Sequence, residues 1–174
     1  MRKVRVLAVL LVALVVLAGC GGGSSLGKTK TYELGDLLTI EYPEAWHVYD
    51  ESGMGVLLSP EEGDLEDQTP RPMFVMMAAP MGEEVELSEE SMQELVQSMD
   101  VNEVGAIEGL KVGGKPAFRQ SFEGGEDEFV SGQQGWILIA GESSPLAVIA
   151  IAPAGVWKEH QEIFEAMLAT LKFK

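Results

Sequence analysis

Cysteine, histidine and positive charge are all scarce in this 174-residue sequence, which has one Cys, two His and 12 Lys plus Arg against 28 Asp plus Glu. A single thiol excludes a disulfide scaffold and a cysteine-rich zinc module, since both need several cysteines at set spacings. A net charge of −16 argues against nucleic acid as a partner, because its phosphates would be repelled rather than neutralised. Collagenous and low-complexity chains need compositions this one lacks. No apolar run reaches the roughly 20 residues a membrane-spanning helix requires. What is present is 46% hydrophobic residues over a length that suits one ordinary globular domain.

The N-terminus reads as an address. Arg2, Lys3 and Arg5 precede an unbroken apolar run from Val6 to Ala18, which ends in Gly19 and Cys20. These are the proportions of a secretory signal. Leu17-Ala18-Gly19-Cys20 resembles the bacterial lipobox, in which small residues fit the signal peptidase and the cysteine thiol is acylated before cleavage on its amino side. The lipid-attachment residue is therefore expected to be Cys20, with cleavage between Gly19 and Cys20 and acyl chains (diacylglyceryl and N-acyl, such as palmitate) on the new N-terminus. Two or three chains exceed the single-chain case that binds membranes only reversibly, so the anchor should be permanent. Removing the signal leaves 9 basic against 28 acidic residues and a net charge of −19, which anionic headgroups would repel. The expected organisation is a signal peptide over 1–19, a lipidated cysteine and flexible glycine-serine tether over 20–28, and one folded domain over 29–174.

Two glycine-rich stretches imitate nucleotide-binding loops. Gly22 to Thr29 reads G-G-S-S-L-G-K-T, but a phosphate cradle needs a buried strand before it and a helix after it. A signal peptide precedes this one, and Thr31-Tyr32-Glu33-Leu34 has no helical period. In Gly109 to Lys115, Pro116 stands where the magnesium-binding hydroxyl should be, and Ala117 to Phe122 alternates like a strand, so the stretch reads as a turn. No nucleotide partner is expected. The sequence contains no G-x-S-x-G elbow, H-E-x-x-H helix or calcium-binding loop either.

Periodicity lays out the folded part. Leu37 to Tyr42 alternates and predicts a strand buried on one side, followed by short strands over Trp46 to Asp50 and Gly55 to Ser59. Pro60 to Pro72 reads as an acidic loop. Met73 to Ala79, Trp136 to Ala140 and Leu146 to Ala152 carry apolar residues at both parities, the pattern of central strands covered on both faces. Ser88 predicts an N-cap, with Leu87 placed to staple against Met92, for a helix running to about Met99. A second helix is predicted over Val156 to Leu171, with Trp157, Phe164, Leu168 and Leu171 inward and Glu159, Glu162 and Glu165 toward water. Two helices and doubly apolar strands suggest an α+β fold layered as helix, sheet and helix.

Three of these features resemble the PsbP-like group, which includes bacterial lipoproteins of the DcrB type: the strand leading into Tyr42-Pro43-Glu44-Ala45-Trp46, the Val112-Gly113-Gly114-Lys115-Pro116-Ala117 turn into a strand, and the closing Trp157 to Phe173 helix after an apolar strand. The resemblance implies an α/β/α sandwich around an antiparallel sheet. It also implies an extracytoplasmic accessory or assembly role at membrane complexes, without catalysis. No residue pattern allows an ion site to be carried over from the photosystem members.

The remaining residue types are read as structural. With two histidines and no available thiol, a zinc site at His47 or His160 would need carboxylates to complete it, so both are read as surface or edge residues. Met73, Met76, Met77 and Met81 offer soft sulfur, but a single strand sends Met73 and Met77 to one face and Met76 to the other, so core filling is the better account. The acidic runs Glu61 to Asp67 and Glu123 to Glu128 are read as solvated loops, weak calcium binding being the alternative. Trp46, Trp136 and Trp157 are read as core anchors. No catalytic, metal or cofactor residues are assigned. The expected function is that of a non-enzymatic lipoprotein on the extracytoplasmic face of the cell membrane, or on an outer membrane where the envelope has one. It would reach the membrane through acyl chains on Cys20 and contact a protein partner in a membrane complex. The alternatives are a small-molecule or ion-binding carrier, which requires a pocket with convergent polar groups between the sheet and a helix, and a cell-envelope hydrolase, which requires a cleft with strongly perturbed titratable groups.

Overall fold

The computed structural model describes residues 26–50, 55–63, 69–78, 87–99, 101–125, 131–141 and 145–174. Gly19, Cys20 and the rest of the expected signal and tether up to residue 25 lie outside them, as do Met81, residues 64–67 of the first acidic run and 126–128 of the second. In chain order the elements are β1 (Thr29–Leu34), β2 (Leu38–Pro43), β3 (His47–Asp50), β4 (Gly55–Ser59), β5 (Met73–Ala78), α1 (Glu89–Ser98), β6 (Val101–Val112), β7 (Lys115–Gly125), β8 (Gln133–Ala140), β9 (Leu146–Pro153), α2 (Trp157–Thr170) and β10 (Lys172–Phe173). Seven strands form one sheet in the order β3-β4-β5-β9-β8-β7-β6, and β1-β2-β10 form a second. Every pairing is antiparallel.

The doubly apolar strands are central. β8 and β9 are buried along almost their whole length, and they divide their side chains between two clusters. Trp136, Leu138, Val148 and Ala150 join Phe74, Phe164 and Leu168 on one face. Ile137, Ile139 and Ile151 join Met73, Met92, Val96 and Phe122 on the other. Phe164 lies at the middle of the first cluster, with its ring centroid about 6 Å from those of Trp46 (5.9 Å), Phe74 (6.0 Å), Trp157 (5.9 Å) and His160 (6.2 Å).

Both helices form where the sequence places them. Ser88 caps α1, its hydroxyl accepting from the Ser91 backbone N–H while the Ser91 hydroxyl accepts from the Ser88 N–H. Leu87 and Met92 share a cluster, as a staple requires. On α2, Phe164, Met167 and Leu168 are buried, and the helix gives way to β10 after Leu171 turns to extended backbone.

The expected α/β/α sandwich is not what these elements build. The molecule is mostly antiparallel strand, with two helices among the described residues. Apolar residues at both parities state only that both faces of a strand are covered. Here α2 shares one face with the second sheet, whose Leu38, Ile40 and Tyr42 enter the same cluster, while the other face carries the ten-residue α1. The strands β1, β6 and β10 supply the added β content. They escape periodicity because they are exposed, interrupted by glycine or only two residues long.

Leu26, the first described residue, is 6% exposed and belongs to the main cluster. The Glu44 N–H donates to the Lys28 carbonyl at 2.8 Å, fixing the approach to β1.

Candidate functional site

β6 is an edge strand, and its middle departs from regular pairing. Val104 faces Ser121 and Glu108 faces Arg119, so Gly105, Ala106 and Ile107 together oppose the single residue Gln120. Gly105 takes φ +79°, a conformation open to glycine, and space lies where its Cβ would be. Gln120 is 2% exposed and replaces the lost ladder with its side chain. Its Nε2 donates to the carbonyls of Val104 at 3.1 Å, Gly105 at 3.3 Å and Ser121 at 3.1 Å.

The bulge and α1 enclose a cleft of about 250 Å³. Glu89, Gln93 and Val96 form the helix wall, Gly105, Ala106 and Ile107 form the strand wall, and Gln120 closes the floor. The volume is below the roughly 300–1,000 Å³ typical of drug-sized sites. Sequence reasoning missed this site. Its one signal was Gly105 inside the Val101 to Val112 pattern, since an isolated glycine in a strand marks a bulge.

Two polar clusters lie elsewhere. Arg119 joins β7 to both β6 and α2, bonding Glu108 Oε2 through Nη2 at 2.7 Å and Glu165 Oε1 through Nη1 at 2.5 Å, with its guanidinium carbon 5.8 Å from the Trp136 ring centre. Burial works against the Arg119 charge, but the Glu108 hydrogen bond and the charges of Glu165 and Glu108 outweigh it and hold the guanidinium above its usual range. Glu165, expected to face water, is thus an ion-pair partner. The second cluster is a link between the sheets: Tyr32 Oη on β1 donates to Asp50 Oδ2 on β3 at 2.6 Å.

The sequence-singled residues are dispersed. His47 is half-buried on β3 opposite Ser59, and His160 places Nδ1 3.1 Å from the Val156 carbonyl. Among the described residues no group of three or more His, Cys, Asp or Glu is arranged to hold a metal ion. Met73 and Met76 are buried in different clusters, on opposite faces of β5. Trp46 and Trp136 are buried and Trp157 is half-buried, all three in the main cluster. Glu61 and Glu62 are exposed, and Glu123 accepts from Gln134 Nε2. Lys28 and Thr29, the end of the first nucleotide-loop imitation, lead into the strand β1 rather than a helix. No described helix is long and apolar enough to cross a membrane.

No protein-family model and no curated protein matches the sequence. Solved structures do match the fold. The solution structure of cyanobacterial PsbP (CyanoP) from Synechocystis sp. PCC 6803 superposes with a TM-score of 0.59 at 11% identity, covering 90% of this chain and 98% of that one. A Pseudomonas aeruginosa protein of unknown function, described as a putative regulator, superposes with a TM-score of 0.53 at 14% identity, covering 83% of this chain and 96% of its own. The fold of this chain is therefore PsbP-like, its described residues building a seven-stranded antiparallel sheet with a small second sheet and two helices packed on it.

Proposed function

We propose that this chain is an extracytoplasmic lipoprotein, anchored to the membrane through acyl chains on Cys20, whose PsbP-like domain acts as a non-catalytic accessory, assembly or binding module. The observation that carries the reading is the fold likeness to cyanobacterial PsbP over nearly all of that protein's chain. It stands beside the basic, apolar, Leu17-Ala18-Gly19-Cys20 order of the N-terminus. The test begins with the intact mass of the protein extracted from membranes. The wild type should start at Cys20 and carry the added mass of its acyl chains, whereas Cys20→Ala should keep the full precursor mass. An identical processed mass in both proteins defeats the anchor. Cross-linking on intact cells, with Cys20→Ala as the unanchored control, should then enrich one membrane complex over the control if the accessory role holds.

The cleft between α1 and β6 favours a second reading, that of a carrier for a small ligand. It places two amides and a carboxylate beside an apolar wall, between the sheet and a helix.

A further inference from the structure

We infer that the cleft between α1 and the β6 bulge binds a small molecule bearing a protonated amine on a short apolar stem. Its polar groups include several acceptors and no cationic donor. Gln120 Nε2 is already engaged by three backbone carbonyls. Glu89 contributes a carboxylate and Gln93 a side-chain amide, and no Lys, Arg or His is among the lining residues. The carbonyl of Gly105 accepts one hydrogen bond from Gln120 and keeps a second lone pair. Such a surface accepts hydrogen bonds and carries negative charge, which suits an ammonium group and repels a carboxylate or phosphate.

Two further features bear on the ligand. Glu89 lies in the first turn of α1 together with Glu90, so the positive end of the helix dipole is offset by two carboxylates rather than left to attract an anion. Val96, Ala106 and Ile107 provide apolar surface beside the acceptors, enough for a few methylene groups. The bulge itself is what opens the site, because a regular β6 would pair Gly105 to Ile107 with β7 one for one. Bulges commonly lie beside binding sites for this reason.

The inference rests on the carrier reading of this cleft, whose ligand class it names, and is independent of the anchoring proposal. The test uses the full chain in nonionic detergent, isotopically labelled, with butylamine near neutral pH as the probe and butanol and butyrate as neutral and anionic counterparts. Butylamine should shift the Gly105 amide and the Gln93 and Gln120 side-chain amides saturably, with no comparable shifts on α2, and the two counterparts should not. Glu89→Gln should weaken binding about threefold to fivefold, the scale of one solvent-accessible charge pair. Ala106→Phe, which fills the strand wall without touching a charge, should abolish it. Glu159→Gln, on the first turn of α2, controls for general attraction to an acidic protein and should leave the affinity unchanged. The inference is overturned if butanol shifts the same signals equally, if the shifts are scattered over the acidic surface, or if Glu159→Gln weakens binding as much as Glu89→Gln.

Discussion

Tyr32 is a single residue whose environment can be titrated. Burial first, then its hydrogen bond to Asp50, then the Asp50 charge push the phenol up from 10.0 to about 12. A phenol with a raised folded-state value favours folding while protonated. Its contribution is complete below pH 10 and is lost as the pH climbs from there through about 12. The absorbance difference between wild type and Tyr32→Phe on alkaline titration should have its midpoint near 12. Asp50→Asn should lower that midpoint only part of the way toward 10, because burial is the larger cause and survives the substitution. A difference curve centred at the ordinary value would mean that the two sheets are not tied at this point. Residue-level chemistry of this kind was illegible in the sequence, since Tyr32 and Asp50 are 18 positions apart and meet only because β1 and β3 lie in different sheets. The Ser88 cap was legible because its hydrogen bonds close within three residues.

At the scale of an element, β6 shows how a side chain can replace a strand ladder. Gln120→Leu keeps the volume and removes the Nε2 bonds to Val104, Gly105 and Ser121. Chemical denaturation should show a loss of about 1–3 kcal/mol, the range for deleting a buried donor and leaving its acceptors unmatched. An unchanged midpoint would show that the bulge holds its shape by backbone geometry alone. The elements that could be read from sequence are those with a strong apolar period. β2, β4, β5, β9 and both helices fall within a residue or two of their expected limits. For β8 the apolar period marked only the C-terminal half, the strand beginning at Gln133 rather than Trp136. The Gly113-Gly114 turn was also legible, with both residues at positive φ (55° and 83°), as a two-residue hairpin between β6 and β7 requires. β1 and β6 were not, because an edge strand facing water has no burial pattern to display.

For the molecule as a whole, Phe164 ties the two sheets and α2 together. It is fully buried, and its ring meets those of Trp46 at the β2–β3 junction, Phe74 on β5, and Trp157 and His160 on its own helix. Phe164→Ala should cost about 3–5 kcal/mol, the range for removing a buried aromatic ring and leaving a cavity. Tryptophan fluorescence should report it, since two of the three tryptophans lose a ring neighbour. A loss under about 1 kcal/mol would mean that the surrounding chain collapses into the space. The overall architecture was only partly legible. That each face of the main sheet carries an apolar cluster follows from the parity of β8 and β9. That a second sheet supplies part of the cover does not, because the same alternation in β2 suits an edge of the main sheet equally well.

The burial of Leu26 has a mechanical meaning for a chain held at Cys20. If the proposed anchor is in place, only residues 21–25 lie between it and Leu26, so a pull between the membrane and the domain would reach Leu26 first and then β1. β1 is the outer strand of the smaller sheet, its backbone paired with β2 and its side chains tied to Asp50 through Tyr32 and to Lys174 through Glu33. Pulling the chain from its N-terminal side in a single-molecule force measurement should therefore release Leu26 and β1 before the seven-stranded sheet. On the proposed anchoring, the strand nearest the mooring would be the first to bear the load.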